Sequence, residues 1–151
     1  MHTPQLSTFD HALFFLSHRE HSSKELIHKL NAKGHTEDDI ASAVERLQAI
    51  NYLNDERFTE IFIRSRISKP LGENRILQEL SQKGIDRELA RRVIEEAEID
   101  WFELARQLKE RRFGNDVATD YKEKAKQARY LQYRGFNFDQ IKYATSPEDA
   151  Y

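Results

Sequence analysis

Three kinds of side chain in this sequence offer chemistry: a cluster of imidazoles, several adjacent carboxylates and two groups of cations. All six histidines, His2, His11, His18, His21, His28 and His35, lie within the first 35 residues. Imidazole ligates metals and titrates near neutral pH, so His18 with His21, or His28 with His35, would suit either role. No helical two-histidine zinc motif with its glutamate accompanies them, and a seven-residue separation puts two ligands about two turns apart. No metal site is expected. Cysteine is absent, which removes disulfides, thiolate metal sites and a cysteine nucleophile. The carboxylate pairs Asp38 with Asp39 and Glu95 with Glu96 are adjacent, so on a helix they point about 100° apart. No glycine-rich phosphate loop ending in Lys-Ser or Lys-Thr occurs. The chain therefore reads as a non-enzymatic protein with no cofactor.

The cations are the stronger signal. Net charge is −2, from 24 Lys and Arg against 26 Asp and Glu, which speaks against indiscriminate coating of nucleic acid. The average hides an asymmetry: residues 36–60 carry seven acids against Arg46 and Arg57, whereas residues 106–134 carry nine bases against four acids. One candidate contact surface is Arg64, Arg66, Lys69 and Arg75, at the end of one helix and across the next loop. It would suit an acidic protein surface or phosphates. A second is Lys122, Lys126 and Arg129, which share one helical face, with Arg134 further on and Lys124 off that face. Tyr130 and Tyr133 lie nearby, a combination that can hold single-stranded nucleic acid, although tyrosines at this spacing more often serve half-buried packing. Both groups also have a plain reading as helix-end charges and solvated faces.

The elements that must position these cations are written in a repeat. Gly34, Gly84 and Gly135 each follow a leucine by four residues and precede Thr36, Asp86 or Asn137 by two. A glycine closes a helix in the left-handed conformation without a Cβ clash, and Thr, Asp or Asn then caps the next helix. Predicted first helices are Phe9–His18, Asp55–Ile67 and Asp100–Arg112, in which Ala12, Phe58 and Leu104 recur every 46 residues. Second helices are Ser23–Lys33, Glu73–Lys83 and Tyr121–Arg134, and third helices follow the caps. Tyr52 and Phe58 are expected at the junction of the first two units. Apolar stripes at helical spacing face one side of each helix. The fold class that follows is all-α: three tandem three-helix repeats, 9–53, 54–99 and 100–145, forming an elongated, curved array. Residues 146–151 read as a frayed tail. No apolar run approaches the roughly 18 residues of a membrane span, and no signal pattern opens the chain, so a soluble cytoplasmic protein without a membrane partner is expected.

The central block, Asn51-Tyr52-Leu53-Asn54-Asp55-Glu56-Arg57-Phe58, then Arg64-Ser65-Arg66, Gly72, Arg75-Ile76, Glu79-Leu80 and Lys83-Gly84-Ile85, resembles the RecX regulatory protein family. Asp100-Trp101, Ala105 and Arg129 through Gly135-Phe136 extend the resemblance into the third unit. Asn51, Asn54, Pro70 and Glu73 depart from the usual pattern at turns. The resemblance implies tandem three-helix repeats that bind the RecA recombinase filament. It further implies restraint of filament assembly, ATP hydrolysis, strand exchange and co-protease action, with weak contact to single- or double-stranded DNA at most. The leading alternative from a different class is a stand-alone DNA-binding protein of helix-turn-helix modules. A structural adaptor with an unrelated protein partner is a third reading.

Overall fold

The structure, a computed structural model, describes residues 6–146, so residues 147–151 of the expected tail lie outside it. Nine helices make up the described residues, with no strand among them: α1 Thr8–His18, α2 Ser23–Ala32, α3 Glu37–Ala49, α4 Asp55–Ser68, α5 Glu73–Gln82, α6 Arg87–Glu96, α7 Trp101–Phe113, α8 Tyr121–Tyr133 and α9 Phe138–Thr145. They fall into three tandem three-helix units, and within each the first helix packs on the third.

The repeated glycine turn sets the exit of every second helix. Gly34, Gly84 and Gly135 have φ of +87°, +79° and +101°. After each, an amide returns to the leucine four residues before the glycine: His35 to Leu30 at 3.2 Å, Ile85 to Leu80 at 3.0 Å, Phe136 to Leu131 at 3.1 Å. This is the Schellman closure, and the third helix starts immediately beyond it. Thr36 and Asn137 cap those starts through their side chains, Asn137 in a reciprocal box with Gln140. Asp86 corrects the expectation for the middle unit: it holds the cap position, but its carboxylate makes no capping hydrogen bond.

Each unit has its own core. Leu26, Leu30, Ile40 and Leu47 are buried in the first, Phe62, Ile63, Ile76 and Leu80 in the second, and Ala105, Leu108, Leu131 and Phe136 in the third. Phe58 belongs to the second core rather than to the junction expected for it, and Tyr52 is exposed. The units are joined in one register, the N-terminus of the second helix of one unit meeting the glycine turn of the next. At the first joint Ser22 Oγ donates to Lys83 O at 2.7 Å, Lys83 Nζ pairs with Glu25 at 3.0 Å, and the Lys24 stem covers Gly84. Asp55 accepts from the Ser23 amide at 2.8 Å, and Arg57 pairs with Glu20 across the same seam.

At the second joint the Gly72 amide donates to Arg134 O at 2.7 Å. Here backbone lies on backbone: a Cβ at Gly72 would stand 2.3 Å from the Gly135 carbonyl carbon, and one at Gly135 would stand 2.4 Å from Arg75 Cβ. Among the described residues Gly34 has no neighbour within 4 Å of the same position. So one motif does two jobs. It ends a helix in all three units and seats a neighbour in two of them.

Candidate partner-binding surfaces

The first cation group is built at the end of α4 and the start of α5, and Glu79 organises half of it. Arg66 Nε reaches Glu79 Oε1 at 2.7 Å and Arg75 Nε reaches Oε2 at 3.1 Å, the latter an i,i+4 pair on α5. Burial pushes the Glu79 carboxyl up, but the hydrogen bonds from Arg66 and Arg75 outweigh it and hold the group below its ordinary value. The Arg66 guanidinium also lies 4.2 Å from the Phe62 ring centre, and Arg75 lies 5.3 Å from that of Tyr133. Those two arginines are thereby fixed in place. Arg64 and Lys69 are exposed, and neither forms an ion pair among the described residues.

In the second group Lys122, Lys126 and Arg129 project from α8 as exposed side chains, as their spacing predicts. Arg134 does not join them. Its Nη2 donates to Lys69 O at 3.0 Å, and its buried Nε has no partner among the described residues, so it serves the second joint. The two tyrosines also part company: Tyr130 packs edge-on against Phe113, whereas Tyr133 is 71% exposed. Lys109, one of the nine bases between residues 106 and 134, is buried. Its ammonium donates to Gly114 O at 2.8 Å and Asp116 O at 2.9 Å, tying down the long loop before α8. Its place four residues after the buried Ala105, on the core-facing side of α7, is the sequence signal that sets it apart.

The histidines pair locally. His35 bridges Thr8 Oγ1 at 2.8 Å and His11 Nδ1 at 2.9 Å, clipping the α2–α3 turn to α1. Lys29 donates to His21 Nε2 at 2.8 Å, which makes His21 Nδ1 the protonated nitrogen facing Arg19 O at 2.9 Å. Burial, chiefly, holds the His21 imidazole below its ordinary value, and it is neutral. Among the described residues no three or more His, Asp or Glu side chains are grouped to hold a metal ion. No helix there is long and apolar enough to cross a membrane.

The three units can be compared with known domains one by one. Residues 9–47 match the first three-helix domain of RecX, residues 54–94 the second and residues 98–145 the third. The chain belongs to the RecX family. It is 44% identical over 149 residues to the Regulatory protein RecX of Vibrio campbellii, covering 99% of this chain and 96% of that one. The Regulatory protein RecX of Halorhodospira halophila is 41% identical over 140 residues, covering 93% of this chain and 87% of the relative. The crystal structure of RecX from Lactobacillus salivarius superposes with a TM-score of 0.78 at 25% identity, over 95% of this chain and 96% of that chain. The family's three-domain order is therefore the order of the units joined at Gly84 and Gly135.

Proposed function

We propose that this RecX-family chain is a non-enzymatic cytoplasmic regulator of the RecA recombinase filament, restraining its assembly, ATP hydrolysis, strand exchange and co-protease activity. The observation that carries this reading is the near full-length match to proteins named as RecX regulatory proteins. The joints support it physically. An array whose units are seated by backbone contact and ion pairs can touch successive subunits of a filament at once, and gains affinity by multivalency. Arg64 and Lys69 on the second unit, with Lys122, Lys126 and Arg129 on the third, supply steering toward acidic protein surface or groove phosphates. Arg66 and Arg75 stiffen that surface through Glu79, and Arg134 braces it from the joint.

The test is RecA ATP hydrolysis on single-stranded DNA with sub-stoichiometric protein added. The expected result is inhibition that weakens as salt is raised; no inhibition at any salt concentration refutes the reading. The exposed Lys122, Lys126 and Arg129 favour one alternative, a protein that binds DNA by itself. A mobility shift on naked DNA at physiological salt separates the two, because tight, sequence-dependent binding without RecA belongs only to the alternative.

A further inference from the structure

The third unit departs from the other two at the positions between its second and third helices. Where α2 carries Ile27 and α5 carries Leu77, α8 carries Ala128, three residues before the shared leucine in each case. Three residues beyond the glycine, where the first two units carry Glu37 and Arg87, the third carries Phe138. In addition α8 has 13 residues against 10 in α2 and α5, and the extra turn at its start brings in Tyr121. The outcome is a groove of about 650 Å³, floored by Ala125, Ala128 and Ile141. Its walls include Tyr121 and Phe138, which are 84% and 76% exposed. In the second unit the equivalent positions line two separate hollows of about 390 and 520 Å³, both bordered by Leu77 and Arg87, where the third unit has one continuous groove. Large apolar side chains left in water beside an apolar floor mark a binding surface rather than a core.

We propose that this α8–α9 groove docks an acidic amphipathic segment of the protein partner, with a large apolar side chain seated over Ala125 and Ala128 between Tyr121 and Phe138. The charges decide the occupant. Among the described residues the charged ones lining the groove are Lys124 and Lys142, both basic, so a segment that brings carboxylates to its rim is complementary and a basic one is repelled. The concave apolar floor favours an inserted side chain, as in helix-in-groove recognition, over a flat stack of bases. The cation stripe of Lys122, Lys126 and Arg129 is not among the groove's lining residues. For the identity of the partner this inference rests on the filament reading above.

Two of the test substitutions are borrowed from the sister units, which tolerate them at the same positions. Ala128→Leu fills the floor as Leu77 does, and Phe138→Glu restores the first unit's residue at the rim. Lys124→Glu with Lys142→Glu reverses the rim charge. Each full-length variant is titrated onto RecA filaments formed on a single-stranded oligonucleotide, and separately onto the bare oligonucleotide, with melting temperatures measured in parallel. The expected result is filament binding weaker by roughly ten-fold or more, the scale of losing one anchored side chain, with melting temperature unchanged and, for the charge-neutral Ala128→Leu, oligonucleotide binding unchanged. Wild-type binding that every variant retains overturns the groove and leaves the filament reading standing. A matching loss by Ala128→Leu on the bare oligonucleotide overturns it in favour of a nucleic-acid occupant. Failure of the wild-type protein to bind the filament overturns both.

Discussion

Gly72→Ala should destabilise the chain although its backbone conformation is open to any residue. Gly72 has φ −77° and ψ 165°, an ordinary extended conformation. The obstacle is space. An added Cβ would lie 2.3 Å from the Gly135 carbonyl carbon and oxygen and 2.5 Å from the Phe136 nitrogen, all backbone atoms held by the α8 closure. Ordinary contact begins near 3.4 Å, so the second joint must open by about 1 Å. Overpacking of that kind costs about 1–3 kcal/mol. Opening also stretches the Gly72 to Arg134 O hydrogen bond of 2.7 Å, worth about 1 kcal/mol more. The sum is about 2–4 kcal/mol, or a fall in melting temperature of roughly 5–12 °C for a chain of this size. Gly34→Ala is the control with the opposite physics: φ is +87° but none of the described residues lies within 4 Å of an added Cβ. It should cost only the left-handed strain, about 1–2 kcal/mol. Thermal unfolding followed by circular dichroism measures both, and amide exchange at residue 72 reads the joint directly. A Gly72→Ala protein that melts like wild type with its residue 72 amide still protected would refute the argument.

The remaining expectations concern pH. Burial raises the Glu25 carboxyl, but hydrogen bonds from Arg19, Lys83 and the Ser22 amide overcome it and bring the group from 4.5 to about 2. A carboxyl depressed in the folded state contributes stability above its unfolded value, and that contribution is lost as pH falls from about 4.5 toward 2. Glu25→Gln should flatten the acid limb of a stability-against-pH curve, and an unchanged limb counts against the Arg19–Glu25–Lys83 network. His11 adds a second loss on acidification, at higher pH: burial first, then His35 and Lys33, lower its imidazole below 6.5. Folding therefore excludes a proton, and stability should decline as pH drops below 6.5. His11→Phe, which keeps the stack on Phe15, should lessen that decline and leave the part that belongs to His21, as melting temperatures at pH 7.5 and 5.5 would report.

What could be read from the sequence was whatever is local in the chain. Leu30, Leu80 and Leu131, each followed by a glycine and a polar cap, dictated the helix closures because a Schellman turn and an N-cap involve residues within about six positions. Lys122, Lys126 and Arg129 were correctly placed on one exposed face for the same reason. The misreadings arose where distant segments meet. Arg134 looks like the last cation of a stripe, yet it is turned toward Lys69 and Pro70, more than 60 residues away. Gly72 looks like a loop glycine, and only the approach of Gly135 shows why no Cβ fits. Tyr133 has the spacing of a packing residue, but at the end of α8 it lies outside the third core, with the Arg75 guanidinium over its ring.

The second joint also changes how the two cation groups relate to each other. In the sequence they are separate candidates on different units. In the fold, Arg75 joins Glu79 on one side and the Tyr133 ring and carbonyl on the other, while Arg134 crosses back to Lys69 O. Arg64 and Lys69 are thus anchored to the same bracket from which Lys122, Lys126 and Arg129 project along α8. A substitution that opens this joint should displace both surfaces together, whereas one at the Lys24–Gly84 contact should move neither relative to the other. Loss of partner binding in Gly72→Ala that exceeds the loss in a Gly84 variant of equal stability would therefore mark the pairing of units two and three as the recognising body. Equal losses would mean that the first unit contributes as much.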